Sequence, residues 1–471
     1  MVFSSPYFLF LFLPIALLVC LPGRGATFRW LLFSVSMIFY FWSSGLHVFL
    51  LLGVILLNFF GAQFVAGKNN WAIFVALVSI NISIMFIFKY VNFFLVNVDA
   101  IFHTEFNGRL GVMVLPAGIS FFVFQGISYL FDVRQGVISA DRGFATYAAY
   151  QAFFPHLIAG PIVRYRDVIQ DFLSPRISSE HFAIGVTRFA HGLLKKVVIA
   201  DTIAPMAEAA FGLSADKINF VSGWTGATAY ALQIYFDFSG YSDMAIGLAA
   251  MFGIRFTENF ARPYSSRSIT EFWRRWHITL SSWFRDYVYI PLGGSRNGAL
   301  VTARNLFIVF IITGLWHGAA WTFLFWGLYH GAFLVMERLV LGGRRETVTH
   351  WSWRYFYVLP VVVFGWVLFR SESMGQAMAM WRAMLAPVGL PGYNDVWSSV
   401  PGLTPQAAVA FLAGGLMFIL PGQTSFGLRL MSEPSKPLWQ TVNATYTITA
   451  LMASAVIVLT GTYSPFLYFT F

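Results

Sequence analysis

Two histidines lie forty positions apart in segments that otherwise consist mostly of apolar residues. His277 lies in EFWRRWHITLSSWFRDYVYIPLGG, residues 271–294, and His317 lies in TGLWHGAAWT, residues 313–322. An ionisable side chain at membrane depth is costly, so its presence there indicates a functional site. Imidazole, with a reference pKa of about 6.5, can take and return a proton near neutral pH. These residues therefore predict general-base chemistry on a hydroxyl acceptor.

His317 follows a helix that is apolar nearly all round. Residues 305–316 form this helix, in which Thr313 is the main exception. If Arg304 marks the cytoplasmic edge, thirteen residues at about 1.5 Å each place His317 roughly 20 Å into a core about 30 Å thick. Two interpretations stay open, a core histidine bonded to a backbone carbonyl and a general base facing an internal cavity. We favour the general base.

The residues around His277 predict one amphipathic helix over residues 271–286. At about 100° per residue, the charged and hydroxyl side chains fall on one arc and the aromatic side chains on the other. His277 lies at the seam between the two arcs. This pattern favours a helix in the membrane interface, with Trp at headgroup level and Arg toward phosphates. His277 is then either an interfacial side chain bonded to a carbonyl or part of the site.

Other polar side chains interrupt the apolar segments. His330 is expected on the helix after His317, facing the same cavity. His156 lies in a region broken by Pro and Gly, where re-entrant backbone would have to be buried by protein or line a cavity. Asp237 and Asp243 are expected to pair with intramembrane basic or tyrosine side chains. The remaining expectations are that Arg164 and Arg166 line the cavity beside His156, and that Lys195 and Lys196 face the cytoplasm from an interfacial helix.

Composition sets the class of protein to which these segments belong. Hydrophobic residues make up 58% of the 471 residues and charged residues 11%, and the mean hydropathy is +0.68. A soluble chain would have about a quarter of its residues charged. The sequence therefore predicts a polytopic integral membrane protein. Apolar runs are found at 6–21, 30–43, 46–65, 71–88, 220–253, 355–369, 407–420 and 442–461, and residues 371–385 predict an interfacial amphipathic segment.

The net charge of +10 has two interpretations. Lys and Arg collect in cytoplasmic loops of membrane proteins, or they form an electropositive entrance for an anionic donor such as a coenzyme A thioester. Nucleic-acid binding is disfavoured because the basic residues punctuate hydrophobic helices. Cys20 is the only cysteine, which excludes disulfides within the chain and Cys-based zinc sites. The sequence also has no HExxH motif, Walker A loop or GxSxG elbow.

At these residues the chain resembles the membrane-bound O-acyltransferase (MBOAT) family, and within it the bacterial AlgI-like branch of alginate O-acetyltransferases. The resemblance rests on LPAGISFFVFQGISYLFDV, FFPHLIAGPIVRYRD, YFDFSGYSDMAIG, FWRRWHITLSSWFRDYVYIPLGG and TGLWHGAAWTFLFWGLYHG. It implies an all-α fold of about eleven transmembrane helices plus re-entrant segments that enclose a funnel. We expect a single domain over residues 1–471, made of N-terminal helices (1–105), a catalytic core (106–341) and C-terminal helices (342–471).

The resemblance also implies roles for particular residues. His317 matches the catalytic histidine of the family, and His277 matches its second characteristic position. The donor would be a cytoplasmic acetyl thioester, acetyl-CoA, with no permanently bound cofactor and no metal. In this branch the acetyl group passes to an extracytoplasmic polysaccharide with the help of a periplasmic SGNH-type partner. We therefore expect the chain in the bacterial inner membrane.

The predicted function is thus O-acetylation of a polysaccharide such as alginate. A D-alanyl transferase acting on teichoic acid is the alternative within the same class, and a transporter of donor or polysaccharide is the alternative from another. The arginines near His277 are candidates for the coenzyme phosphates because guanidinium presents a planar fork to them, although ordinary placement in a cytoplasmic loop also explains them. These candidates are Arg262, Arg267, Arg274, Arg275 and Arg296.

Overall fold

The computed structural model describes residues 2–66, 70–106, 113–141, 143–340, 354–387, 400–419, 437–461 and 466–467. In these residues all regular secondary structure is helical, which confirms the predicted all-α class. The α-helices, numbered α1 to α19 in chain order, are Leu13–Cys20, Gly25–Ser44, Val48–Val65, Trp71–Phe102, Ile119–Arg134, Phe144–Ala152, Phe154–Leu157, Tyr165–Leu173, Ser179–Leu194, Asp201–Phe211, Phe220–Met251, Ile269–Arg275, Ile278–Phe284, Gly298–His317, Trp321–Val340, Leu359–Arg370, Met374–Leu385, Pro405–Ile419 and Pro437–Thr460.

Several helices have the length and composition of membrane spans. These stretches are Gly25–Val65, which contains α2 and α3, Trp71–Phe102, Gly298–His317 and Gln440–Thr460. A helix rises about 1.5 Å per residue, so twenty residues cross a hydrocarbon core of about 30 Å. The apolar runs found in the sequence thus form helices of a membrane protein. The count of about eleven spans, the re-entrant paths and the funnel stay predictions.

The described chain divides into two compact units. The first unit comprises Met1–Ala190 and Tyr241–Glu258, and the second comprises His191–Gly240 and Asn259–Leu467. Helices α9 and α11 contribute residues to both units. The internal boundaries expected near residues 105 and 341 stay predictions.

In the first unit, irregular backbone is enclosed by protein. Helix α7 ends at Leu157, and residues 158–164, IAGPIVR, continue without helix although all of them are buried. Pro161 lacks a backbone N–H, and the chain on both sides of it must satisfy its polar groups inside the protein. The expected interruption of the helices by Pro and Gly is therefore confirmed in this region.

The first unit also contains a buried group of charges. The guanidinium of Arg188, on α9, lies 2.5 Å (Nη2) from Oδ1 of Asp243 and 2.6 Å from Oε2 of Glu258. The Arg188 side chain is 3% exposed. The predicted pairing of Asp243 with a basic side chain is confirmed, because a buried charge requires a partner of opposite sign.

In the second unit, Lys196 is buried between two carboxylates. Its Nζ lies 2.6 Å from Oδ1 of Asp237 and 2.7 Å from Oδ1 of Asp201. The expectation that Lys195 and Lys196 face the cytoplasm is wrong, since both are buried in a π-helical segment, Lys195–Ala200. Two adjacent ammonium groups suit water when no partner is near in sequence, but Asp237, forty-one positions after Lys196, supplies a buried partner. The predicted pairing of Asp237 is confirmed.

Helices α14 and α15 of the second unit pack as a close hairpin. Gly314 faces Gly327 across the hairpin, and a Cβ atom at either position would clash with a backbone carbonyl of the other helix, that of Phe323 or Phe310. Only glycine allows the two backbones to approach this closely. The hairpin places His317, the last residue of α14, beside the start of α15.

Candidate functional site

The backbone turns sharply at His277. Helix α12 ends at Arg275, Trp276 is extended, and His277 has φ 46° and ψ 55° in the left-handed region before α13 begins at Ile278. The single amphipathic helix predicted over residues 271–286 is therefore wrong. Positive φ is uncommon for residues other than glycine and is often found at functional sites.

Backbone groups released by this break find partners in an upstream segment. The N–H of Ile278 donates to the carbonyl oxygen of Asn259 at 2.9 Å, and the N–H of Ala261 donates to the carbonyl oxygen of Arg275 at 3.0 Å. Buried backbone groups are nearly always paired. Residues 259–261 thus replace the helical hydrogen bonds. The helical periodicity of residues 271–286 does not reveal this, because the partners lie outside that segment.

The imidazole of His277 is enclosed by protein. Its Nδ1 lies 3.1 Å from Oδ1 of Asn259, and its ring centroid lies 4.7 Å from that of Phe238 and 6.2 Å from that of Trp316. Burial lowers the pKa of His277 to about 3, because desolvation disfavours the imidazolium. The ring is therefore neutral at neutral pH. The prediction that His277 lies at the seam of one amphipathic helix is wrong, and its predicted position in the membrane interface stays a prediction.

His317 is buried among aromatic rings at the end of a long helix. Its ring centroid lies 4.9 Å from that of Trp316, 5.1 Å from that of Trp326 and 5.0 Å from that of Phe369. It is the last residue of α14 and is 4% exposed. The carboxyl end of a helix carries partial negative charge, which favours a cation. This position would favour an imidazolium at His317 over one at the amino end of a helix.

Trp316 brings the two predicted histidines into one cluster. Its ring contacts both His277 and His317, at the centroid distances given above. The catalytic roles of both histidines stay predictions. The arrangement supplies two buried imidazoles in an enclosed aromatic environment, where an electrostatic interaction is stronger than in water.

His330 lies on α15, the helix on which the sequence placed it. Its ring centroid lies 5.2 Å from that of Trp326 and 5.0 Å from that of Trp273. It is fully buried, and neither ring nitrogen has a hydrogen-bond partner among the described residues. Trp326 therefore packs between His317 and His330. His330 behaves here as a neutral aromatic ring that supports Trp326.

Helix α12 is fixed at its amino end by Glu337, which the sequence analysis missed. The Glu337 carboxylate accepts from the N–H groups of Ile269, at 2.6 Å, and Thr270, at 2.9 Å. It also accepts from the hydroxyls of Thr270 and Tyr357. The first N–H groups of a helix have no intrahelical partner, so a carboxylate there satisfies them and favours the helix dipole. No local motif marks this residue, because it lies sixty-eight positions after Ile269.

The predicted phosphate-binding arginines differ in how far they are exposed. Arg275 is held by Glu271, with Nη2 2.6 Å from Oε1, and also donates to Oγ of Ser265. Arg262 is half-buried and has φ 49°. The other three guanidinium groups belong to exposed residues, namely Arg267, Arg274 and Arg296. Arg275 contributes to the structure of α12, and Arg267 also lies 4.0 Å from the carboxylate of Glu271, so Arg274 and Arg296 are the more accessible candidates for an anionic donor.

The broken region of the first unit holds the remaining candidates. His156 is fully buried, its Nε2 lies 2.8 Å from the carbonyl oxygen of Tyr150, and its ring stacks on Phe256 at 5.1 Å. Arg166 pairs with Asp132 at 3.1 Å, and Arg164 is buried. These contacts give His156 a role in packing. The described residues contain no group of three or more His, Cys, Asp or Glu placed to hold a metal ion.

Comparison with known proteins identifies relatives over the whole chain. The profile of the membrane-bound O-acyltransferase family matches residues 117–378. A protein of Pseudomonas putida named "Probable alginate O-acetylase AlgI" is 41% identical to the chain, with 100% of both sequences covered. The "Peptidoglycan O-acetyltransferase" of Helicobacter pylori is 35% identical, over 84% of this chain and 81% of the relative. The "Teichoic acid D-alanyltransferase" of Bacillus subtilis is 28% identical, over 54% of this chain and 68% of that relative.

Proposed function

Because the chain belongs to the membrane-bound O-acyltransferase family, we propose that it transfers acetyl groups to an extracytoplasmic polysaccharide such as alginate. The proposed donor is a cytoplasmic acetyl thioester, acetyl-CoA, and the proposed location is the bacterial inner membrane. The relatives named for O-acetylation align over more of the chain, and at higher identity, than the relative named for D-alanyl transfer. They support acetyl as the transferred group.

The observation that carries this proposal is the cluster of His277, Trp316 and His317. His317 takes the proton from the acceptor hydroxyl, and the oxygen attacks the carbonyl carbon of the thioester. The carbon–sulfur bond then breaks, His317 gives its proton to the sulfur, and the coenzyme leaves as a free thiol. A positioned general base of this kind contributes about 10² to 10⁴ in rate.

His317 suits the role of base better than His277 does. The carboxyl end of α14 stabilises the imidazolium that forms during the reaction. His277 instead lies directly before the amino end of α13, where the helix dipole disfavours an imidazolium. His277 therefore acts as a neutral hydrogen-bonding group beside the reacting atoms.

The proposed acceptor hydroxyl belongs either to the sugar or to a serine of a periplasmic SGNH-type partner. The proposed donor approaches the exposed arginines around α12, Arg274 above all, because the phosphates of coenzyme A are anionic. In this scheme no metal takes part.

The test is a transfer assay in proteoliposomes with acetyl-CoA that carries one label on the acetyl group and another on the coenzyme. We expect the acetyl label to reach the polysaccharide, in the presence of the partner, while the coenzyme label stays on the donor side. Movement of both labels together would identify a transporter instead. Turnover only with a D-alanyl carrier protein would favour D-alanyl transfer. The His317→Gln protein, verified as folded, is the inactive control, and transfer by it at the wild-type rate would refute the mechanism.

A further inference from the structure

A backbone N–H group shows which atom of the Asn259 side-chain amide is the oxygen. The backbone N–H of Thr279 points to Oδ1 of Asn259 at 3.3 Å, and the hydroxyl of Thr279 lies 2.8 Å from the same atom. A backbone N–H can only donate, so its partner must be an acceptor. This settles the orientation of the amide, which is otherwise ambiguous because the oxygen and nitrogen of an amide look alike.

The same oxygen determines where the proton of His277 lies. Nδ1 of His277 is 3.1 Å from Oδ1 of Asn259. An amide oxygen has lone pairs but no hydrogen, so Nδ1 must be the donor. In a neutral imidazole the other nitrogen, Nε2, then carries the lone pair.

We propose that Asn259 is a positioning residue, which holds His277 as the Nδ1–H tautomer and so makes Nε2 a hydrogen-bond acceptor. The consequence for catalysis rests on the proposed function. In acetyl transfer, His277 accepts a hydrogen bond through Nε2, from the acceptor hydroxyl or from the imidazolium of His317, and does not donate one to the developing oxyanion.

Asn259 acts on the main chain as well as on the ring. Its carbonyl oxygen accepts from the N–H of Ile278, the residue after the left-handed turn. Asn259 is 1% exposed, so neither bond competes with bulk water. One residue therefore fixes both the backbone and the ring of His277. Two further side chains that pack against the ring, Phe238 and Trp316, are uncharged.

Nitrogen NMR of the wild-type protein tests the tautomer directly. Protein labelled with 15N-histidine carries nine labelled rings, and the His277 signals are those missing from the His277→Gln protein. We expect a protonated, pyrrole-type Nδ1 and a pyridine-type Nε2. A protonated Nε2 with an unprotonated Nδ1 would overturn the proposal. This result does not depend on any substrate, so it stays separate from a failure of the proposed function.

Two substitutions of Asn259 test the effect on catalysis. Asn259→Leu removes the acceptor, and we expect kcat per folded molecule to fall about 10- to 100-fold, as with other residues that orient a functional histidine. Asn259→Asp keeps the acceptor and adds a negative charge that stabilises the imidazolium. We expect it to retain more activity than Asn259→Leu, with the acid limb of its kcat profile moved to higher pH.

The matched control is Asn305→Leu. Asn305 is also fully buried in the second unit, and its amide donates to the carbonyl oxygens of Leu292 and Gly294. We expect this change to lower the folded yield and to leave the pH profile of the folded protein unchanged. If Asn259→Asp shows the wild-type acid limb and Asn259→Leu keeps the wild-type kcat per folded molecule, Asn259 is only structural and the proposal fails.

Discussion

The two histidines of the site are held in contrasting ways. His277 lies at a break between two seven-residue helices, and hydrogen bonds from distant residues fix its backbone and its ring. His317 ends a continuous twenty-residue helix, and ring contacts together with a glycine-lined hairpin fix its position. Hydrogen bonds specify which ring atom carries a proton, whereas ring contacts mainly specify where the ring lies. The contrast is consistent with the proposed roles, in which His277 is an oriented hydrogen-bonding group and His317 transfers the proton.

The largest effect is expected from the histidines themselves. His317→Ala removes the proposed base, so we expect kcat to fall about 10²- to 10⁴-fold with the KM for acetyl-CoA little changed. His277→Ala should reduce kcat less, because it removes a positioning hydrogen bond and not the base. Steady-state kinetics on purified, folded proteins measure both. A larger loss in His277→Ala would reverse the assignment of roles.

Glu337→Gln tests whether distant hydrogen bonds hold the region of His277. The carboxylate of Glu337 accepts hydrogen bonds from four donors. In glutamine one carboxylate oxygen is replaced by an NH2 group, which is itself a donor and faces these donors. We therefore expect the free energy of unfolding to fall by about 2 to 3 kcal/mol. Thermal unfolding in detergent gives the difference. The control is Glu208→Gln, at an exposed position on α10, which should change stability by less than about 0.5 kcal/mol. Equal stability of the two variants would contradict the proposed capping of α12.

We expect the glycine and alanine variants to differ in stability in opposite directions at the two histidine positions. At position 277, with φ 46°, Gly should be more stable than Ala by about 1 kcal/mol, because a Cβ atom disfavours the left-handed region. At position 317, within a helix, Ala should be more stable than Gly by about 0.5 to 1 kcal/mol. Thermal unfolding of the four proteins measures both differences. The same order at both sites would show that the left-handed turn relaxes.

The smallest effect is expected at the arginines. Arg274 is exposed, so Arg274→Ala should raise the KM for acetyl-CoA about two- to fivefold, the range of an exposed ion pair. Arg275 is bound to Glu271, so Arg275→Ala should mainly lower stability. Kinetics and thermal unfolding of both variants separate the two outcomes. A KM effect confined to Arg275→Ala would place the donor against the other face of α12.

Much of the fold could be predicted from the sequence because long apolar segments have few alternatives to the helix. Helix α14 and its terminal His317 follow from composition and the spacing of residues. The break at His277 does not, because the residues around it suit an amphipathic helix. The actual structure depends on Asn259, which lies outside that segment and belongs to no motif.

The burial of charged residues also depends on contacts between residues that are distant in the sequence. Lys195 and Lys196 predict an exposed position when they are considered alone, since a lone ammonium group is costly to bury. The carboxylate of Asp237 removes much of that cost, but its proximity to Lys196 is a property of the fold. For Asp237 and Asp243 the sequence predicted pairing without identifying the partners. Pairings of this kind arise from contacts between helices, and no local rule gives them.

The pair formed by Lys196 and Asp237 also restricts how this sequence can evolve. Removing one partner of a buried ion pair costs about 3 to 5 kcal/mol, and a whole domain is stable by only about 5 to 15 kcal/mol. Loss of Lys196 alone removes the ammonium partner of both Asp237 and Asp201, whereas loss of Asp237 alone leaves Lys196 paired with Asp201. Replacing both residues by apolar ones can be nearly neutral. Among descendants of this chain, those that lose Lys196 but keep Asp237 should thus be rarer than those that lose Asp237 but keep Lys196.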